Sequence, residues 1–293
     1  MTIKRKKTIP NFLGLERPYC DLAKAKFVVL PVPYEHTVTY GKGTGKAPKA
    51  IIKASKQVET FDEELKFDAA EKVCIYTENQ LKPNGHQEGA VQNLIEKSAR
   101  KILNAKKIPV LIGGEHSISA GAVKACKKAH KNLSVLQIDA HADLRDSYMG
   151  TRLSHASVMR RILEVCPAVQ VGIRNMSEEG YTFAKKSGQL KKIHPARNFG
   201  RSSISKILKQ LSKDVYVTID VDGLDPSIIP TTGTPEPGGL SWYQVLDLLK
   251  AIAKKKRVVG FDLVELAPQK GMHAAPFACA KLIYKFISYI VGG

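Results

Sequence analysis

Carboxylate and imidazole side chains recur in this sequence in short clusters, each directly after a run of apolar residues. The clusters are His116 in GGEHS, Asp139, His141 and Asp143 in DAHAD, Asp220 and Asp222 in DVD, and the single Glu265. In an extended segment alternate side chains point the same way, so DAHAD would present three polar groups together. Buried carboxylates that close would repel one another, and divalent cations would remove that repulsion.

The charges of these residues indicate how many cations they would hold. The clusters other than Glu265 contain four aspartates and two histidines, which carry four negative charges and two neutral imidazoles. These residues are His116, Asp139, His141, Asp143, Asp220 and Asp222. Two divalent ions balance them. Carboxylate and imidazole without thiolate favour Mn²⁺, with Co, Ni, Fe or Zn as substitutes. We therefore expect two Mn²⁺ per chain, a pairing that can turn a water molecule into a nucleophile.

The apolar runs before the clusters predict a buried parallel sheet. They are short, rich in β-branched residues and apolar on both faces, which is typical of parallel strands covered by helices. The predicted strands cover residues 27–32, 110–112, 135–138, 169–172, 215–219 and 258–263. Because ligands collect beyond the carboxyl ends of such strands, we expect the polar clusters to meet at one edge of the sheet.

Amphipathic patterns between the strands predict helices over residues 91–103, 204–211 and 242–249. We expect Ser202 or Ser203 to cap the second of these and Ser241 the third. A last apolar helix, over residues 277–290, is interrupted by lysines and is placed on the sheet rather than in a bilayer. The alternation predicts one α/β domain, a three-layer α/β/α sandwich over residues 1–293, with residues 1–15 as a basic N-terminal extension.

Composition excludes several classes of protein. The chain has 293 residues, of which 43% are hydrophobic, so extensive disorder is not expected. Its five cysteines are scattered without C-x-x-C pairing, which favours a reduced, cytoplasmic protein. The net charge of +19 is spread along the chain and accompanies no nucleic-acid-binding motif. We therefore expect neither a nucleic-acid nor a membrane partner.

Taken together, the motifs GGEHS, DAHAD, TIDVDGLDP and GTPEPGGL resemble those of the ureohydrolase family, which includes arginases and agmatinases. The resemblance covers nearly the whole chain, from PVPYEHTVTYGKGTGKAPKAI through QVGIRNMSEE to GFDLVELAP. It implies an agmatinase-type member with an arginase-like fold, assembled as a homo-oligomer of three or six chains.

The resemblance also implies roles for individual residues. One Mn²⁺ would be held by His116, Asp139, Asp143 and Asp220, and the other by Asp139, His141, Asp220 and Asp222. Glu265 would pair with the substrate guanidinium, His155 would relay protons to the leaving amine, and Asp143 would accept a hydrogen bond from the nucleophile. The sequence departs from the family pattern at Glu115, where many members have Asp, and at Ala156, which replaces the glycine of an SHG motif.

The reaction implied is hydrolysis of a guanidino compound to urea and an amine. Residues 144–153 do not resemble the loop with which arginases hold an α-carboxylate and α-amine, which favours agmatine, a precursor of putrescine in polyamine biosynthesis. N1-aminopropylagmatine is equally compatible, and Arg145 and Arg152 leave open a guanidino acid such as guanidinobutyrate. A non-catalytic paralogue that binds a polyamine or a partner is a lower-ranked alternative. For a cationic substrate, acidic residues would be expected near the mouth; the candidates are Glu35, Asp146, Glu178 and Glu179.

Overall fold

The protein is built on one large parallel sheet. The computed structural model describes residues 11–83 and 89–293, and within them eight strands pair in parallel in the order β4-β1-β5-β10-β9-β6-β7-β8. These strands are β1 Ala25–Val32, β4 Cys74–Thr77, β5 Ile108–Gly113, β6 Leu133–Ile138, β7 Ala168–Ile173, β8 Ile193–Pro195, β9 Asp214–Asp220 and β10 Arg257–Val264. A separate antiparallel hairpin joins β2 Phe61–Asp62 to β3 Phe67–Asp68.

Helices cover both faces of the sheet. They are α1 Ala47–Ser55, α2 Ala69–Lys72, α3 Ala90–Asn104, α4 Ser119–Ala129, α5 Val158–Leu163, α6 Glu178–Ser187, α7 Arg201–Gln210, α8 Trp242–Lys255 and α9 Ala274–Gly292. Side chains of α1, α2, α7, α8 and α9 pack on one face, and those of α3, α4, α5 and α6 on the other. The predicted three-layer α/β/α sandwich is confirmed.

Alternation along the strands explains how one sheet supports two cores. In β1, Phe27 and Val29 belong to the first core, whereas Val28 and Leu30 belong to the second. All four side chains are 2% exposed or less. Because both faces are apolar, the polar groups needed for chemistry are confined to the strand ends and the loops that follow them.

Helix α9 is the one helix in the described part of the chain that is long and apolar enough to cross a membrane. In the folded protein 67% of its apolar window is buried. It packs against α1, α8 and β10, which is the environment of a core helix. Its Lys285 is buried as well and forms an ion pair with Asp62 of the hairpin, 2.8 Å away.

All six strands expected from the sequence are present, each slightly longer than predicted. The strands missed are β4 and β8, at the two edges of the sheet, and the two-residue strands of the hairpin. Strands this short carry too few residues to produce a recognisable apolar run.

The caps of two helices can be compared with expectation. Ser241 caps α8 as predicted, with its hydroxyl accepting from Gln244 N. The prediction for α7 was wrong, because the residue at the N-cap is Gly200. Ser203 lies three positions inside the helix, where its hydroxyl accepts a hydrogen bond from Gly200 N at 3.2 Å.

The predicted N-terminal extension divides into two parts. Residues 1–10 lie outside the described residues. Phe12 and Leu13 lie within the core, 0% and 8% exposed, against the face that carries α1. Residues 11–15 are therefore part of the folded domain.

Candidate metal centre

Adjacent strands at the middle of the sheet deliver all the predicted ligands to one edge. The central strands β5, β10, β9 and β6 are consecutive neighbours, and their carboxyl ends point the same way because every pairing is parallel. The residues that follow these ends are His116, Glu265, Asp220 with Asp222, and Asp139 with His141 and Asp143. The order of strands in space brings together motifs that lie up to 149 positions apart in sequence.

The first group of ligand atoms is centred on His116. Its Nδ1 lies 3.1 Å from Asp139 Oδ2, 3.2 Å from Asp143 Oδ2 and 3.3 Å from Asp220 Oδ2. His116 and Asp139 are essentially inaccessible to solvent, and Asp220 is also buried. Three carboxylates and one imidazole nitrogen therefore converge on one point.

The hydroxyl of Thr218 indicates which nitrogen of a neutral His116 ring carries the hydrogen. Thr218 Oγ1 lies 2.6 Å from Asp262 Oδ1 and donates its hydrogen there, since a carboxylate only accepts. The same hydroxyl must then accept from His116 Nε2, 2.9 Å away. In the neutral ring, Nδ1 is left with a lone pair that faces three carboxylates, and it has no hydrogen-bond partner among the described residues. Four acceptors converging on one point fit a cation between them.

The second group shares Asp139 with the first. Ligand atoms of Asp139, His141 and Asp222 all lie within 4.8 Å of one another. His141 Nδ1 is 2.9 Å from Asp222 Oδ2 and 3.8 Å from Asp139 Oδ1. A carboxylate shared between two groups is the arrangement expected when two cations lie side by side.

The protonation of the metal-free cluster reflects this crowding. Burial and the charges of Asp222 and Asp143 raise the pKa of Asp139 to about 8. Burial alone would lower the pKa of His141, but its hydrogen bond to Asp222 and the surrounding negative charge outweigh burial and raise that pKa to about 10. Protons therefore balance the charge when no cation is bound. The donor set fits divalent cations, which would take the place of those protons.

Two site carboxylates have an unusual backbone conformation. Asp143 has φ 52° and Glu265 has φ 66°, in the left-handed region that residues other than Gly seldom adopt and that Asp tolerates better than Glu. Such strain is retained where the surrounding structure holds it, and it is common at functional sites. Glu265 has this conformation directly after the end of β10, and Asp143 has it in the loop that follows β6.

A cavity opens above the cluster. It is lined by His116, His141, Asp143, Asp220 and Asp222, and by Glu265, His155, Ala156, Arg145 and Tyr148. Glu265 Oε1 accepts a hydrogen bond of 2.6 Å from His116 N. Burial and the nearby charge of Glu115 raise the pKa of Glu265 well above its usual value. A cationic group beside Glu265 would be stabilised by its ionised form.

His155 faces the cavity from a separate loop, on a short 3₁₀ turn that precedes α5. Its Nδ1 lies 2.9 Å from Thr37 Oγ1, and its ring stands edge-on to Tyr148. The structure thus brings seven of the eight predicted site residues to the lining of one cavity, and the eighth, Asp139, contacts His116 of that lining. Their individual roles remain predictions.

Several residues that support the site were not found from the sequence. Thr37, Thr218 and Asp262 hold site histidines in place, directly or through another side chain. Arg174 donates to the carbonyl oxygens of Asp222 and Glu236, at 2.7 and 2.6 Å, and so joins two loops at the rim. The one sequence signal was Asp262, a carboxylate inside an otherwise apolar predicted strand.

The acidic residues considered for the mouth of the cavity do not line it in the described part of the chain. Glu35 accepts hydrogen bonds from Gly43 N and Gly45 N and so stabilises the loop that contains these two glycines. Asp146 pairs with Arg152 and Arg161, and Glu179 accepts from Asp146 N. In the described part of the chain, the residues that line the cavity do not include Glu35, Asp146, Glu178 or Glu179.

An α/β/α sandwich with a carboxylate–imidazole cluster at its carboxyl edge defines a metal-site protein of the α/β class. The arginase family model matches residues 25–288, and the chain belongs to that family.

Relatives and solved structures agree with the family. The N(1)-aminopropylagmatine ureohydrolase of Thermus thermophilus is 41% identical over 90% of each chain. The agmatinase of Pyrococcus horikoshii is 34% identical over 95% of each chain. The structure of the agmatine ureohydrolase of Thermoplasma volcanium superposes with a TM-score of 0.83 at 28% identity, over 97% of this chain and 95% of that one.

Proposed function

We propose that this protein is a metal-dependent ureohydrolase that hydrolyses the guanidinium group of agmatine to urea and putrescine. The observation that carries the proposal is the convergence of His116 Nδ1 and three carboxylates beneath a cavity that also contains Glu265 and His155. That combination offers a cation site, an anion for a guanidinium and a group that transfers protons. The similarity to an N(1)-aminopropylagmatine ureohydrolase and to an agmatinase supports the same chemistry.

The proposed cofactor is a pair of Mn²⁺ ions. One would be held by His116, Asp139, Asp143 and Asp220, and the other by Asp139, His141, Asp220 and Asp222. When bound, these ions supply Lewis acidity, which makes water nucleophilic at neutral pH and stabilises negative charge in the transition state.

Glu265 is proposed to bind and orient the substrate. A guanidinium is a planar fork of N–H donors, and a carboxylate is the group that best complements it. The hydrogen bond from His116 N fixes the Glu265 carboxylate close to the first group of ligands. A guanidinium held there would lie beside the residues proposed to hold the cations, so that the reacting groups would be positioned before the reaction.

Two further residues are proposed to handle protons. Asp143 lies at the cavity wall, where its carboxylate can accept a hydrogen bond from the nucleophile. His155 would supply the proton that the amine needs as the C–N bond breaks, since an amine leaves more readily when protonated. General acid catalysis of this kind contributes roughly 10²–10⁴-fold in rate.

N1-aminopropylagmatine is the second candidate substrate, and one observation favours it. Relatives of that name from Thermus thermophilus and Synechocystis are 41% and 38% identical to this chain, compared with 34% for the agmatinase of Pyrococcus horikoshii. Both substrates have the same guanidinium and four-carbon chain, so the proposed chemistry is common to them.

Arg145 and Arg152, which the sequence left open as residues that bind a guanidino acid, differ in their position relative to the cavity. Arg152 forms ion pairs with Asp146 and Glu164, outside the cavity lining. Arg145 lines the cavity and lies over the ring of Tyr148. Recognition of a substrate carboxylate would therefore depend on Arg145.

We further propose a cytoplasmic homo-oligomer of three or six chains, as the sequence resemblance implies.

The test is urea release by the full chain loaded with Mn²⁺, with agmatine, N1-aminopropylagmatine, arginine and guanidinobutyrate as substrates. We expect urea from agmatine or its aminopropyl derivative, with kcat/KM ranking the two. Urea from guanidinobutyrate alone would move the substrate to the acidic class and make Arg145→Ala the next variant. No urea from any of the four by a metal-loaded chain would contradict the proposal.

A further inference from the structure

A threonine hydroxyl lies between a buried glutamate and the cavity histidine. Thr37 Oγ1 is 2.9 Å from Glu115 Oε1 and 2.9 Å from His155 Nδ1, and it also lies 3.1 Å from His155 N. Thr37 follows β1 and Glu115 follows β5, which are neighbouring strands. Both residues are buried, and Glu115 is completely inaccessible to solvent.

We propose that Thr37 and Glu115 are positioning residues that keep a proton on Nδ1 of His155 and leave Nε2 to exchange protons with the substrate. The consequence for catalysis rests on the proposed ureohydrolase function. The assignment of the proton itself rests only on the hydrogen bonds around Thr37.

The donors and acceptors around the threonine hydroxyl allow one arrangement. A hydroxyl has one hydrogen to donate and two lone pairs that accept. His155 N–H can only donate, so it occupies one lone pair of Thr37 Oγ1. The Glu115 carboxylate can only accept, so it takes the single hydrogen. The remaining lone pair must accept from His155 Nδ1, which therefore carries a hydrogen.

The environment of Glu115 supports its part in this account. Its Oε2 accepts from His36 N at 2.5 Å and from Thr37 N at 2.6 Å. Its Oε1 accepts from Ser117 Oγ at 2.5 Å as well as from Thr37 Oγ1. Four donors converge on one carboxyl group, and the two backbone N–H groups cannot act as acceptors. This is the pattern of an ionised carboxylate.

A second contact restrains the imidazole ring. The rings of Tyr148 and His155 meet edge to face, with centroids 5.8 Å apart and an interplanar angle of 87°. A half-turn of the imidazole would put a C–H group, rather than Nδ1, against Thr37 Oγ1 and would lose that hydrogen bond. The ring is thus held in one orientation, and Nε2 is the nitrogen that remains for a substrate in the cavity.

The proton balance of the leaving step follows. With His155 protonated on both nitrogens, the C–N bond breaks and its electron pair goes to the amine nitrogen. That nitrogen takes the proton from Nε2. His155 becomes a neutral ring that still carries its Nδ1 hydrogen. If the neutral ring instead kept its hydrogen on Nε2, the hydrogen lost from the doubly protonated ring would be the one on Nδ1. That nitrogen faces Thr37 and not the substrate.

The matched pair of variants is Thr37→Val and Thr37→Ser, because valine keeps the shape and serine keeps the hydroxyl. Thr37 is not adjacent to any predicted metal ligand. With agmatine and Mn²⁺ we expect Thr37→Val to lower kcat by at least about tenfold, a part of the usual contribution of general acid–base catalysis. KM and metal content should stay close to wild type, and Thr37→Ser should recover most of kcat.

The direct readout is the tautomer of His155. The metal-free full chain, labelled with ¹⁵N histidine, is studied by two-bond ¹H–¹⁵N correlation at about pH 9, where an ordinary imidazole is neutral. His155→Gln identifies the signal. We expect the Nδ1–H tautomer in wild type and in Thr37→Ser, and a shift toward Nε2–H in Thr37→Val.

Two outcomes would overturn the inference. An Nε2–H tautomer in wild type would show that the hydroxyl points the other way. A Thr37→Val enzyme with unchanged kcat, or a Thr37→Ser enzyme as impaired as Thr37→Val, would show that the hydroxyl does not position His155. Failure of wild type to release urea would contradict the proposed function but would leave the tautomer result decisive for this inference.

Discussion

The position of His116 Nδ1 among three carboxylates is the feature from which the chemistry of the site follows. Thr218 and Asp262 impose that orientation from inside the sheet, since they occupy Nε2. Support of this kind usually matters nearly as much to a metal site as the ligands do. A second histidine, His155, is oriented by the same kind of device, a threonine backed by a carboxylate.

Replacing Glu265 with Gln should separate substrate binding from metal binding. The amide keeps the size of the side chain and an oxygen for His116 N, but it loses the charge that pairs with a guanidinium. Loss of one partner of a buried charge pair costs about 2–5 kcal/mol, so we expect kcat/KM for agmatine to fall by at least about 30-fold. Steady-state kinetics and metal analysis give the two readouts.

The matched control for Glu265→Gln is Glu71→Gln, an exposed residue of α2. It should change neither activity nor metal content. If Glu265→Gln loses metal instead, its role as a substrate group is wrong.

Metal affinity should increase with pH. In the metal-free cluster the pKa of Asp139 is raised to about 8 and that of His141 to about 10, so both hold protons at pH 7. A cation must displace these protons, and the apparent affinity rises about tenfold per pH unit for each proton released. Calorimetric titration with Mn²⁺ between pH 6 and 8, in buffers of different ionisation enthalpy, measures the release.

The control for proton release is Asp139→Asn, which removes one of the protons. It should bind Mn²⁺ more weakly and with a shallower dependence on pH. Binding by wild type that is independent of both pH and buffer would contradict the predicted exchange of protons for cations.

At the scale of elements, adjacency of β5, β10, β9 and β6 assembles the site. Their apolar patterns were recognisable because each strand is buried on both faces and each is followed at once by polar residues. The edge strands β4 and β8 were missed because the sheet, rather than local sequence, defines them. The α7 cap was wrongly predicted because a serine inside a first turn and a serine at a cap look alike in sequence.

A buried ion pair fastens α9 to the hairpin, and its loss should destabilise the protein. Lys285 Nζ lies 2.8 Å from Asp62 Oδ1 and 3.0 Å from Glu64 Oε2. Lys285→Met would leave Asp62 buried without a counter-charge, at a cost of about 3–5 kcal/mol in the free energy of unfolding. Urea denaturation gives the value.

The matched control is Lys250→Met, because Lys250 also pairs with Glu64 but is 47% exposed. It should cost less than about 1 kcal/mol. Equal losses for the two variants would show that burial of the pair is not what matters.

The same network should weaken in acid. Burial would raise the pKa of Glu64, but hydrogen bonds from Lys250, Tyr289 and Lys285 outweigh it and lower the pKa from 4.5 to about 2. A depressed folded-state pKa contributes stability that is fully present above the unfolded value and is lost as pH falls toward 2. The difference between wild type and Lys285→Met should therefore narrow below about pH 4.5.

At the scale of the whole molecule, folding concentrates negative charge inside a chain whose net charge is +19. Four aspartates meet at the predicted metal centre, while basic residues are spread along the chain. Net charge by itself therefore said little about the site, and the acidic residues considered for the mouth do not line the cavity in the described part of the chain.

Removal of metal should lower the melting temperature of the protein. A ligand present at 1,000 times its Kd stabilises the folded state by about 4.1 kcal/mol, and 1 kcal/mol corresponds to about 2–4 °C for large domains. We expect EDTA to lower the melting temperature by at least about 5 °C, measured by scanning calorimetry. Asp139→Asn should show a much smaller shift, and an unchanged wild type would argue against a metal at this centre.

The sequence alone determined the fold class, the six central strands and the identity of the candidate ligands. It could do so because burial on both faces imposes a largely apolar pattern, and because the clusters of carboxylates and imidazoles come directly after these apolar runs. The tertiary structure decided which nitrogen of His116 faces the carboxylates and which hydroxyl holds His155. Those facts depend on contacts between residues as far apart as Thr37 and His155, 118 positions in sequence, and only the tertiary fold brings such residues within hydrogen-bond distance.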